Sequence, residues 1–94
     1  MYLAVTAYRN GQLPPQPAVE EHWCYLDARY AERRLLCSGP QRAGTGGVLV
    51  VRAEDEESAR ALLDGDPLVR DGHVSYTLTA FRATRAADRA WVDP

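Results

Sequence analysis

The sequence has no lysine, so every one of its 11 basic side chains is an arginine. Schiff-base chemistry on a lysine amine is therefore excluded, as is a P-loop whose lysine reaches the β- and γ-phosphates. Cysteine is scarce too. Cys24 and Cys37, even joined by His22 and His73, do not fall at the spacing of a four-ligand zinc site, and no metal is expected. No apolar run approaches the roughly 18–20 residues needed to cross a bilayer. The opening "MYLAVTAYRN" lacks the charged start and long apolar stretch of a signal peptide, so the expectation is a cytoplasmic protein with reduced thiols and no membrane partner.

A surplus of charge is missing as well: 11 basic against 13 acidic side chains leave a formal charge of -2. Nothing in that balance draws the chain to phosphate backbones or anionic lipid, and no nucleic-acid partner is expected. The G-x-G-x-x-G fingerprint of dinucleotide binding is absent. The loop "GPQRAGTGG" sets Gly39 and Gly44 at a Walker-like separation, but Thr45-Gly46 stands where Lys-Ser/Thr is required, so it reads as a flexible hairpin. The acidic run Glu54–Glu57 reads as a solvated helix start rather than a cation site. No cofactor is implied.

What remains is an ordinary globular composition, 46% hydrophobic and 26% charged, in 94 residues. One domain of this size buries only about 60–65% of the surface its unfolded chain exposes, so a partner subunit is a reasonable way to bury more.

"MYLAVTAY" alternates Tyr2, Ala4, Thr6 and Tyr8 with Leu3, Val5 and Ala7 and reads as a strand covered on both faces. "RNGQLPPQP" breaks the ladder and delays a helix until about Pro17. From Ala18 to about Arg34, Val19, Trp23, Leu26 and Tyr30 fall at spacings of four, three and four, a helical stripe bordered by His22. "LLCSG" and "GGVLVVRA" read as the second and third strands. Asp55 is placed to cap a second helix whose inward face is Ala59, Leu62 and Leu63 and whose end is Gly65. "HVSYTLTAFRAT" is a fourth strand, with Val74, Tyr76, Leu78 and Ala80 on one face.

The order β-α-β-β-α-β obeys the right-handed crossover rule and predicts an α+β, ferredoxin-like domain over residues 1–84. Its four-stranded antiparallel sheet carries both helices on one face. The opposite face, left bare, would be a large apolar patch on a small monomer, and a homodimer packed sheet to sheet covers it. Residues 85–94 form a C-terminal extension in which Ala86, Ala87, Ala90 and Trp91 suit a short helix.

Two residues have the chemistry for a site. His22 is of the side-chain type best suited to move a proton near neutral pH, and it borders an apolar helical face, although a hydrogen-bonded structural histidine fits the same position. In "DGDPLVRDG", residues 64–72, Gly65 ends one helix, Asp66 caps the next and Pro67 takes its first position, where the missing N–H costs nothing. Read locally, Asp66 is a cap.

"HWCYL", "LLCSGP", "GGVLVVRAEDEESARALLDGDPLVRDG" and "VSYTLTAFRA", in that order, resemble the YCII-related family of the dimeric α+β barrel superfamily over about residues 1–84. The resemblance implies a dimeric α+β barrel and a His-Asp dyad formed by His22 and Asp66. In such a dyad the carboxylate accepts from one imidazole nitrogen and leaves the other as base. Members are similar to an aromatic dehydrochlorinase and, more remotely, to muconolactone isomerases. This implies cofactor-free proton transfer, an elimination or isomerisation, on a small cyclic oxygenated acid or phenol. The expected pocket lies between the bare sheet face and the first helix, lined by Tyr8, His22, Ser38 and Asp66, with Arg9 at its mouth to hold a carboxylate. The rival reading is a non-catalytic small-ligand-binding or dimerisation module.

Overall fold

The computed structural model describes residues 1–94. The chain runs β1 (Tyr2–Tyr8), α1 (Gln16–Ala31), β2 (Leu35–Pro40), β3 (Gly47–Val51), α2 (Glu56–Asp64), α3 (Pro67–Arg70) and β4 (Val74–Ala80), with 3-10 turns at Arg9–Gly11 and Arg89–Trp91. The strands form one sheet in the order β2-β3-β1-β4, each neighbouring pair antiparallel. This is the expected ferredoxin-like α+β arrangement, with the single turn of α3 added between α2 and β4.

Register sorts the strand residues by face. Ala4 lies opposite Leu49 and Leu78, and Tyr2 opposite Val51, so the even-numbered side of β1 faces the helices. There it joins Leu26 of α1 and Ala59, Leu62 and Leu63 of α2 in one core. Each buried leucine contributes about 1.5–3 kcal/mol. The odd-numbered side carries two cross-strand rows, Cys37-Val50-Leu3-Thr79 and Gly39-Val48-Val5-Thr77. No helix covers that side; its valines and Leu3 are only half-buried.

The helix ends are set by local chemistry. α1 takes Pro17 into its first turn, where an N–H is not needed. It stops at Ala31, short of the expected Arg34, because Arg33 adopts a left-handed conformation with φ of 59°. The Arg34 amide then bonds Arg29 O and the Arg33 amide bonds Tyr30 O, the pattern of a Schellman end. A non-glycine residue in that conformation costs about 1–2 kcal/mol. Asp55 caps α2 by accepting from Ser58 N at 2.8 Å.

The inward face of α1 is rotated from the expected stripe. Leu26 is buried and Val19, His22, Tyr25, Arg29 and Tyr30 are half-buried, whereas Trp23 is 54% exposed. His22 thus sits within the packed face rather than on its border.

The β2–β3 loop, a hairpin as expected, is tied to β1 by hydrogen bonds. Gln41 Nε2 donates to Thr6 O at 3.0 Å, Gln41 N to Gly46 O at 2.8 Å, and Tyr8 N to Thr45 O at 3.0 Å. At Gly46, with φ of 153°, a Cβ would fall 1.9 Å from Thr6 O, so only glycine lets the loop lie this close to β1. Residues 85–94 also fold back: Asp93 Oδ2 accepts from Ala83 N at 2.7 Å and from the Met1 amine at 3.2 Å.

Candidate active site

The turn after α2 delivers one carboxylate. Asp66 Oδ1 accepts from Leu68 N at 2.9 Å, which caps α3 at the position the sequence indicates. From the packed face of α1, His22 Nδ1 reaches the same group, 2.7 Å from Oδ2 and 2.9 Å from Oδ1. The Asp66 side chain is 6% exposed and that of His22 18%. An ionised carboxylate only accepts, so in a neutral imidazole Nδ1 carries the hydrogen and the lone pair falls on Nε2. Nε2 has no protein partner. Cap and imidazole partner are therefore one carboxylate used twice.

His22 and Asp66 line a cavity of about 400 Å³ together with Tyr8 and Ser38, and Leu26, Leu49 and Val74 supply apolar wall. The volume lies in the range of small-ligand sites. The cavity opens on the helix-covered side of the sheet, not on the bare side expected from the sequence. The reason is topological: α1 packs on the even-numbered side of β1, so Thr6 and Tyr8 share a space with His22 while Leu3 and Val5 do not.

Four of the five expected site residues, His22, Asp66, Ser38 and Tyr8, are brought together. Arg9 is not among the lining residues. The 3-10 turn at Arg9–Gly11, with Asn10 left-handed at φ 53°, carries its guanidinium to Gly72, where an added Cβ would meet Nη1 at 3.5 Å. Three residues that the sequence places on α1 and β1, without marking them for a site, lie in or beside the cavity. Tyr30 OH lies 2.5 Å from Ser38 Oγ. Thr6 Oγ1 accepts from Gly47 N at 2.8 Å and holds the loop wall in place. Trp23 lines the cavity while remaining largely exposed. Tyr30, eight residues from His22 on one helix, is the one whose position a helical-period argument reaches.

A larger groove, about 960 Å³, lies at the other end of β1 beside Met1, Arg52, Arg82 and Asp93. Three of its polar groups are engaged with the chain itself: Arg52 bonds Ala90 O, Arg82 Nη2 lies 3.4 Å from Pro94 O, and Asp93 holds the Met1 amine. Size alone does not mark the site; an imidazole nitrogen left unpartnered in a cavity does.

Known proteins agree with this architecture. The chain is 36% identical over 67 residues to the uncharacterised protein YjpA of Bacillus subtilis (strain 168), covering 71% of this chain and 79% of YjpA. Its structure is similar to that of 5-chloro-2-hydroxyhydroquinone dehydrochlorinase (TftG) from Burkholderia phenoliruptrix AC1100, solved in complex with 2,5-dihydroxybenzoquinone. The TM-score is 0.66 at 17% identity, over 86% of this chain and 92% of that one, and the likeness is one of fold. The family described as the YCII-related domain matches residues 1–82. The chain belongs to the YCII-related family.

Proposed function

We propose that the protein is a cofactor-free enzyme that moves a proton on a small cyclic oxygenated compound, with His22 as base and acid and Asp66 as its orienting partner. The observation that carries this reading is the double contact of His22 Nδ1 with Asp66, which leaves Nε2 bare in a cavity. Nε2 takes a proton from a carbon next to a carbonyl or enol, and Asp66 stabilises the imidazolium that forms. In an isomerisation the proton returns to a different carbon. In an elimination the C–H electron pair becomes the new double bond, the leaving group departs with its own bonding pair, and the imidazolium releases its proton to water.

The rest of the cavity suits such a ligand. A phenol is a better donor than an aliphatic hydroxyl, so in the 2.5 Å pair Tyr30 gives its hydrogen to Ser38. The hydrogen of Ser38 is then available to a ligand oxygen. Trp23 offers a flat apolar surface beside His22 on which a ring can stack. The dehydrochlorination of a hydroxylated ring by TftG, on the same fold, is a reaction of this class.

The bare face of the sheet supports a homodimer. Leu3, Val5, Val48 and Val50 form a contiguous apolar strip there, which a second copy of the chain would cover. A single species of monomer mass at micromolar concentration contradicts the dimer.

Turnover of halogenated hydroxyhydroquinones and small cyclic enol lactones, followed by absorbance and halide release, tests the reaction. Wild-type protein is expected to turn over at least one class, and His22→Ala to lose about 10²–10⁴ of the rate. Activity that survives His22→Ala rejects the assignment. Saturable binding of ring compounds without turnover across the panel favours a ligand-binding module, in which Asp66 is a cap that His22 braces.

A further inference from the structure

We infer that Tyr25 is a positioning residue for the dyad: its hydroxyl releases the chain from α2 at the point where Asp66 must turn toward His22. The inference rests on the reading of His22 and Asp66 as a functional pair, and it concerns how the carboxylate is placed.

A helix leaves its last carbonyls without backbone donors. If α2 continued, Asp66 N would bond Leu62 O. Instead Asp66 N bonds Leu63 O at 3.1 Å, which tightens the last turn and frees Asp66 to begin α3. Leu62 O then needs another donor, and Tyr25 OH supplies it at 2.8 Å. The same hydroxyl lies against Gly65, where a Cβ would come within 2.5 Å of it. Gly65 is in an ordinary helical conformation, with φ of -78°. The requirement for glycine there is therefore room for Tyr25, not backbone freedom.

Tyr25 is held from its own helix as well. The Arg29 guanidinium stacks 4.4 Å from the ring centroid. Tyr25 stands three positions after His22, so both project from one face of α1. One helix face thus supplies the imidazole and the strut that sets its carboxylate. Without the hydroxyl, the way to satisfy Leu62 O is for Asp66 N to return to it, which extends α2 and draws the carboxylate off Nδ1.

The test reads the ring nitrogens of His22 by long-range ¹H–¹⁵N NMR on the full chain, where the shifts give the ratio of Nδ1–H to Nε2–H tautomer. Wild-type protein should hold Nδ1–H. Tyr25→Phe should lower the ratio about five- to tenfold, the effect of one lost hydrogen bond. Gly65→Ala, which pushes the hydroxyl aside, should do the same. Gly65→Ala should add little in the Tyr25→Phe background, where the clashing oxygen is gone. Tyr76→Phe is the control: Tyr76 OH also bonds the end of α2, at Asp64 Oδ1 over 2.8 Å, but away from Gly65. It should leave the ratio unchanged.

A Tyr25→Phe ratio within about twofold of wild type, or an equal drop in Tyr76→Phe, overturns the inference. A wild-type His22 that carries its hydrogen on Nε2 removes the dyad itself, a failure distinguishable from the first.

Discussion

The two ends of β1 hold two aspartates in nearly the same chemical setting, and only one of them makes a candidate site. Asp66 accepts from the Leu68 amide and from His22; Asp93 accepts from the Ala83 amide and from the Met1 amine. Each has one backbone donor and one side-chain or terminal cation-capable donor. The difference lies in the second partner. An ammonium has only hydrogens to give, so Asp93 finishes as a staple beneath the C-terminal segment. An imidazole that gives its Nδ1 hydrogen gains a directed lone pair on Nε2, and at Asp66 that nitrogen meets a cavity. A carboxylate's own surroundings therefore do not tell a staple from a proposed catalytic partner; what its donor does with its remaining atoms separates the two.

The largest effect that breaks the comparison is His22→Ala, expected to cost about 10²–10⁴ in turnover with the fold retained, since the side chain is partly exposed. No substitution at Asp93 should do this. Asp66→Ser sharpens the point, because serine still caps α3 but is too short to orient the imidazole. Circular dichroism and melting should stay near wild type while turnover falls with that of His22→Ala. A variant that melts early and keeps its turnover would make Asp66 a cap and no more.

Smaller effects separate the two tryptophans. Trp23 borders the His22 cavity and Trp91 belongs to the C-terminal segment, with exposures of 54% and 40%. Replacing Trp23 by leucine should weaken binding of 2,5-dihydroxybenzoquinone about three- to tenfold, as expected for loss of one aromatic stack. Trp91→Phe should leave the dissociation constant unchanged. Titration calorimetry of each variant measures both.

The smallest effect is confined to acid pH. The Ala83 N–H, and after it the Met1 amine, holds the Asp93 carboxyl below the usual carboxylate range. A lowered folded value means that its contribution is complete above the ordinary range and is lost as pH falls through the lowered value. Trp91 emission should report release of the C-terminal segment below the ordinary carboxylate range. In Asp93→Asn that transition should be absent at every pH, with turnover unaffected.

Much of this was legible in the sequence, for reasons that differ by residue. The strands followed from period-two alternation and short apolar runs bounded by glycine and proline, and their antiparallel arrangement from the crossover rule. The Asp66-Pro67 cap followed from local chemistry, and its pairing with His22 from the resemblance to the family, since 44 residues separate the two. Spacing and hydrophobicity put Trp23 on the inward stripe, yet it is exposed, because it stands one residue past His22 on the helix. Arg9 followed the strand into a left-handed turn at Asn10 and away from the cavity. The roles of Tyr25 and Tyr30 lie in hydroxyl contacts with Leu62 O and Ser38 Oγ, which exist only once α1 has docked. No local pattern encodes them.

The central claim is that a ligand meets His22 Nε2 in the smaller cavity and leaves the larger groove empty. Titration of ¹⁵N-labelled protein with 2,5-dihydroxybenzoquinone tests it directly. The account predicts a saturable shift of His22 Nε2, with Nδ1 nearly still and the Gly47 and Leu68 amides moving. Shifts confined to Arg52, Ala83 and Asp93, with Nε2 unmoved, would contradict it.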